Sequence, residues 1–202
     1  MKKIITILGA RPQFIKAAVV SQAFVEQNIA EVILHTGQRF DANMSDVFFD
    51  EMGIPMPAYH LGIGGGSHGH NTGRMIESIE KVLLDQRPDW VMVYGDTDST
   101  LAGALAAVKL RIPVAHVEAG LRSFNRCMPE EINRVLTDHA ASLLFPPTQT
   151  ALRNLLAEGI IGNKVQCVGD VMYDAALYYG QRAQACSNIL KQLSLQPKAY
   201  TL

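Results

Sequence analysis

Short β-branched runs ending in Gly, Asp or His alternate with longer amphipathic runs rich in Ala, Leu and Glu, and few folds accept that alternation. The expected strands are 3–8, 31–36, 90–94, 113–117, 142–145 and 164–167. The expected helices are 12–27, 42–52, 71–86, 99–110, 130–140, 149–158 and 171–183. The strands are apolar throughout rather than on alternate residues, as in a parallel sheet covered by helices on both faces. Repeated βα units with right-handed crossovers then give an α/β, doubly wound parallel sheet. The Gly-rich stretch 62–70 reads as a flexible loop, and 123–129 as a link into the helix at 130. Beyond Gly180 the pattern weakens: 187–195 reads as a last helix and 196–202 as a strand just beginning.

With 48% hydrophobic and 18% charged residues in a chain of 202, intrinsic disorder is excluded. A formal charge of −1 gives no electrostatic reason to seek nucleic acid or an anionic membrane. No apolar run approaches the roughly 18 residues of a membrane span. The apolar run at 4–8 is too short for a signal peptide and ends in Gly9-Ala10-Arg11-Pro12. Cys127, Cys167 and Cys186 are odd in number and lack any CxxC spacing. That argues against a disulfide framework or structural zinc and points to a reducing cytoplasm.

In an open parallel sheet ligands bind at the carboxyl ends of the strands. After the first strand, Gly9 and Ala10 allow close approach to the backbone, Pro12 starts a helix, and Arg11 and Lys16 add two cations, a combination that suits a phosphate. It is neither GxGxxG nor a P-loop, which disfavours a nicotinamide enzyme. After the strand at 90–94, Asp96 is placed either to meet a ligand hydroxyl or act as a base, or to cap the next helix; Asp98 fits the cap better. His116 and Glu118 share one face of an extended segment. His116 is either a ligand contact or a buried His satisfied by its neighbours, whereas a carboxylate at a buried strand end needs a partner or a purpose. No P-C-x-x-C accompanies this H-x-E, so it is not a zinc deaminase motif. Glu130 and Glu131 open a helix, and their first-turn position suits the helix dipole. Asp96, Glu118 and Glu130 would thereby gather around one cleft as acid–base groups. Gln38, after the second strand, is a further polar candidate. His68 and His70 lack a third partner for a metal.

Together the segments 9–16, His35-Thr36-Gly37-Gln38, 95–100, 116–122, 129–134 and Gly169-Asp170-Val171-Met172 resemble the non-hydrolysing UDP-N-acetylglucosamine 2-epimerases. The resemblance implies a Rossmann-like N-terminal lobe of a glycosyltransferase-B type fold, with the nucleotide sugar between two lobes. It implies Asp96, Glu118 and Glu130 as catalytic acids and Arg11, Lys16, Gln38, His116 and Arg122 as substrate contacts. It also implies inversion at C2 of a UDP-sugar without a metal or other cofactor, in a cytoplasmic homodimer. Segments 40–45 and 67–75 also resemble the branch that acts on UDP-2,3-diacetamido-glucuronic acid. The expected division is a lobe at 1–185, with 186–202 leading into a second lobe that this sequence lacks. The chain alone is then expected to turn over negligibly; a glycosyltransferase or an inactive nucleotide-sugar-binding module is the alternative.

Overall fold

A computed structural model describes residues 2–37, 49 and 51–196. Six parallel strands, β1 (Lys3–Leu8), β2 (Ala30–His35), β3 (Tyr59–His60), β4 (Trp90–Tyr94), β5 (Val114–Val117) and β6 (Leu143–Phe145), form one sheet in the order β3-β2-β1-β4-β5-β6. The order reverses between β1 and β4, and this switch point opens a crevice at the carboxyl edge. The helices whose bounds fall within the described residues are α1 (Arg11–Glu26), α2 (His68–Gln86), α3 (Asp98–Lys109), α4 (Pro129–Ala140), α5 (Gln149–Ala157), α6 (Val171–Cys186) and the short α7 (Ile189–Gln192).

Apolar residues on both faces of each strand build two cores. Ile5, Ile7, Val91 and Val93 pack with Met75, Ile79 and Leu83 of α2 and the alanines of α3. On the opposite face Ile4, Leu8, Met92 and Tyr94 pack with Phe14, Ala17 and Ala18 of α1. The alanines let α3 approach closely, and Gly103 admits Ile7 and Val93 where a Cβ would collide with them. Among the described residues, no helix is long and apolar enough to cross a membrane.

Several expectations need correction. The segment 164–167 makes only an isolated bridge, Leu144 to Val165, because one backbone rung does not extend into a ladder. A two-residue strand, β3, was not anticipated; it is too short to carry an apolar pattern. α2 begins at His68, inside the stretch expected to be loop, and its backbone enters at Ser67 in an extended conformation. The cap of α3 is Thr97, whose hydroxyl accepts from the Thr100 N–H, while the Asp98 side chain turns elsewhere. α6 runs on to Cys186. Most of the helix expected at 42–52, and the strand start at 196–202, lie outside the described residues.

Candidate active site

The β1–α1 turn is held by one side chain. Gln13, 1% exposed, accepts from the Gly9 and Ala10 N–H groups (2.7 and 3.0 Å). Its amide nitrogen donates to the Tyr94 carbonyl (2.8 Å) and to the Thr97 and Thr100 hydroxyls (3.1 and 3.0 Å). The turns after β1 and β4 are thus locked together across the switch point. Gly9 is obligatory here, since a Cβ would overlap the Ser99 and Thr36 hydroxyls. Arg11 opens α1 on the exposed side, and Lys16, one turn on, is buried.

Lys16 forms an ion pair with Glu118, which directly follows β5 with a left-handed backbone (φ +73°). That conformation costs a residue with a side chain, and strain of this kind concentrates at functional sites. It brings the carboxylate against Gly95, where a Cβ would lie 3.2 Å from Glu118 Oε2 and 3.6 Å from Lys16 Nζ. Gly95 itself has φ +62°, so both space and conformation exclude a side chain. Asp96 follows, and its Oδ2 accepts from Arg134 Nη2 at 2.5 Å. The other Arg134 nitrogen donates to Glu131 at 2.9 Å. Glu131 also accepts from the Ser123 N–H and hydroxyl (2.9 and 3.0 Å) and the Phe124 N–H (2.9 Å), tying the 123–129 loop to α4. Burial pushes the Glu131 carboxyl up, but these bonds and Arg134 together hold it below its usual value. Glu130, half-buried on the first turn of α4, makes no ion pair among the described residues.

Arg11, Lys16, Asp96, Glu118 and Glu130 therefore occupy one edge of the sheet, at the ends of β1, β4 and β5 and the start of α4. His116 and Arg122, expected to contact substrate, do not join them. His116 is wholly buried; its Nδ1 donates to Asp138 Oδ1 and its Nε2 to the Gly95 carbonyl, both at 2.7 Å. The Arg122 side chain is 1% exposed, paired with Asp138 (2.8 Å) and with Glu158 through two nitrogens (2.6 and 2.8 Å). Both side chains are drawn inward because Asp138, on the buried face of α4, is a carboxylate that must be compensated. They support the floor beneath Gly95 and Glu118. Gln38 lies outside the described residues.

The family model for UDP-N-acetylglucosamine 2-epimerase matches residues 22–202. The chain belongs to the UDP-N-acetylglucosamine 2-epimerase family. Its sheet and helices have the Rossmann-like lobe architecture of the glycosyltransferase-B type. It is 58% identical over 193 residues to the UDP-2,3-diacetamido-2,3-dideoxy-D-glucuronate 2-epimerase of Pseudomonas aeruginosa, covering 94% of this chain and 54% of that protein. The crystal structure of the Methanocaldococcus jannaschii UDP-GlcNAc 2-epimerase, in complex with UDP-GlcNAc and UDP, superposes with a TM-score of 0.91 at 52% identity, over 96% of this chain and 53% of that one. The Neisseria meningitidis UDP-GlcNAc 2-epimerase bound to UDP-GlcNAc gives 0.87 at 36% identity, over 94% and 52%. The chain thus spans about half the length of the relatives it matches.

The sequence alone gives Gln13, Asn133 and Asp138 no role, and Glu131 only that of a first-turn acid suited to the helix dipole. A signal for part of that set exists: charged residues at 131, 134 and 138 recur at helical spacing and mark a polar stripe on α4. That stripe is buried, with Glu131 3% and Asp138 0% exposed. A helix whose inward face is charged has partners to satisfy there.

Proposed function

We propose that this chain is the first lobe of an enzyme that inverts C2 of a UDP-linked 2-acetamido sugar, with UDP-GlcNAc and UDP-ManNAc as the interconverted pair. The observation that carries it is the Lys16–Glu118 pair beside Gly95, directly followed by the Asp96–Arg134 pair at the same strand edge. A carboxylate takes the C2 proton, the anomeric C–O bond to UDP breaks, and UDP re-adds to the 2-acetamidoglucal as a proton returns on the opposite face. Asp96, Glu118 and Glu130 supply the proton-transfer and sugar-orienting groups. Lys16 and Arg11 hold the departing diphosphate, whose charge develops as the bond breaks. His116 and Arg122 act at one remove, by fixing the backbone under Gly95 and Glu118. No metal or redox cofactor is needed for this sequence of steps, which returns every proton and electron pair it removes.

Residues 1–185 form the lobe, and 186–202 lead toward a second lobe that completes the cleft. The working enzyme is a homodimer of two-lobed chains in the cytoplasm, feeding polysaccharide synthesis. Exposed apolar residues Tyr173, Leu177 and Tyr178 on α6 support a covering lobe. Incubation with UDP-GlcNAc in D2O tests the reading. The chain alone gives negligible product. Fused to the second half of the Methanocaldococcus jannaschii relative, it gives UDP-ManNAc deuterated at C2, and Glu118→Gln in that fusion abolishes turnover. Appreciable turnover by the chain alone, or product without deuterium, contradicts it.

A further inference from the structure

Three successive carbonyls of the β4–α3 turn each receive a hydrogen bond from a side chain of a different element. The Tyr94 carbonyl accepts from Gln13 Nε2 of α1 at 2.8 Å, and the Gly95 carbonyl from His116 Nε2 of β5 at 2.7 Å. The Asp96 carbonyl accepts from Asn133 Nδ2 of α4 at 2.9 Å. A carbonyl can only accept, so the amide nitrogen of Asn133 must be the atom that faces Asp96. The same nitrogen also donates to Asp98 Oδ1 at 3.2 Å. Asn133 is 5% exposed and Asp98 4%, so water has little access to compete for these bonds.

Inversion at C2 needs groups on opposite faces of one carbon, and their separation is set by whatever joins the elements that carry them. Asp96 lies on the turn before α3, and Glu130 on the first turn of α4. Arg134 of α4 crosses between them to the Asp96 carboxylate, but a guanidinium is also the group that a diphosphate engages. Asn133 carries no charge for a phosphate to take, and it holds the Asp96 backbone rather than its carboxylate. It follows Glu130 by three residues, which puts the two on one side of the helix.

We propose that Asn133 is a positioning residue for this reaction. Its amide fixes the turn that carries Asp96 against the helix that carries Glu130, and keeps it fixed when Arg134 turns to the diphosphate. This rests on the reading of the edge as a UDP-sugar site and adds to it a residue that acts through Asp96 without touching the substrate. Misplacement of a reacting group by about 1 Å costs on the order of a hundredfold in rate, which is what such a bond prevents.

The test is NMR on the chain with 13C-labelled aspartate, titrated with UDP and with UDP-GlcNAc. It compares the unsubstituted chain with Asn133→Ala, Asn133→Asp and the double variant Asp98→Asn/Asn133→Asp. Asn133→Asp puts an oxygen where the donor was, facing two acceptors. The double variant returns a donor to the 98–133 contact but leaves the Asp96 carbonyl facing that oxygen, which separates a structural role from a positioning one. The melting temperature is expected to fall in Asn133→Asp and largely to recover in the double variant. In the unsubstituted chain UDP-GlcNAc moves the Asp96 carboxyl signal and UDP does not, and UDP-GlcNAc binds about fivefold tighter through one more hydrogen bond. In all three variants that advantage and the Asp96 response are lost, while the affinity for UDP stays within about twofold. A double variant that regains the ligand response along with its melting temperature overturns the proposal, as does an Asn133→Ala chain that responds like the unsubstituted one. A double variant no more stable than Asn133→Asp contradicts the bridge itself. In each of these cases the shifts of the unsubstituted chain leave the site reading intact; if neither ligand moves Gly95, Asp96 or Glu118 there, that reading falls as well.

Discussion

Glu31 carries a carboxyl between β2 and α1 that accepts from the Thr6 hydroxyl, while its Oε2 is buried without a hydrogen-bond partner. Burial pushes its pKa up, and the bond from Thr6 only partly offsets this. The folded state therefore favours the protonated acid. The stability this gives is complete below the unfolded value of 4.5 and is lost as pH rises through the higher folded value. Glu31→Gln keeps the Thr6 contact and removes the charge, so it should raise the melting temperature by about 2–4 °C at pH 7.5 and change it little at pH 4. Asp138 behaves in the opposite sense. Burial raises it, but His116 and Arg122 prevail and hold it below 3.8, so its contribution is present above that value and fades as pH falls through the folded one. Replacing His116 by Ala leaves that carboxylate short of a partner at 0% exposure. Urea unfolding at pH 7 should show a loss of about 3 kcal/mol with an unchanged denaturant slope.

At the scale of elements, α3 depends on its cap. Thr97 accepts from Thr100 N–H and from Gln13 Nε2, so Thr97→Ala should cost about 1–2 kcal/mol in thermal unfolding, against less than 0.5 kcal/mol for an exposed site such as Thr150→Ala. The strands of the central sheet were readable because burial on both faces leaves an uninterrupted apolar run. The segment 164–167 looks the same in sequence yet makes one bridge, since apolarity marks burial and not pairing. Gly69 hid the start of α2: glycine lowers helix propensity, but an end position tolerates it. Of the candidate site, Asp96, Glu118, Lys16 and Glu130 were visible as charges at strand and helix ends. The inward roles of His116 and Arg122 were not, because their partner Asp138 lies 22 and 16 residues away and only folding brings it beneath β5.

For the molecule as a whole, the sheet order places two opposite-charge pairs at one edge, Lys16–Glu118 and Asp96–Arg134, with Glu130 beside them. Asp96 and Glu118 are each paired with a cation that the diphosphate of the proposed substrate would engage instead. Unpaired, three acids at one opening would repel a nucleotide; pairing two of them, Asp96 and Glu118, reduces that repulsion. The most direct check is a 15N–1H correlation spectrum of the chain titrated with UDP-GlcNAc to millimolar concentration. The predicted shifts cluster at 9–16, at Gly95 and Asp96, at Glu118, and at Glu130, and diminish in Lys16→Met. Shifts confined to other faces, or a spectrum unmoved at saturating ligand, would contradict the assignment of a nucleotide-sugar site to this edge.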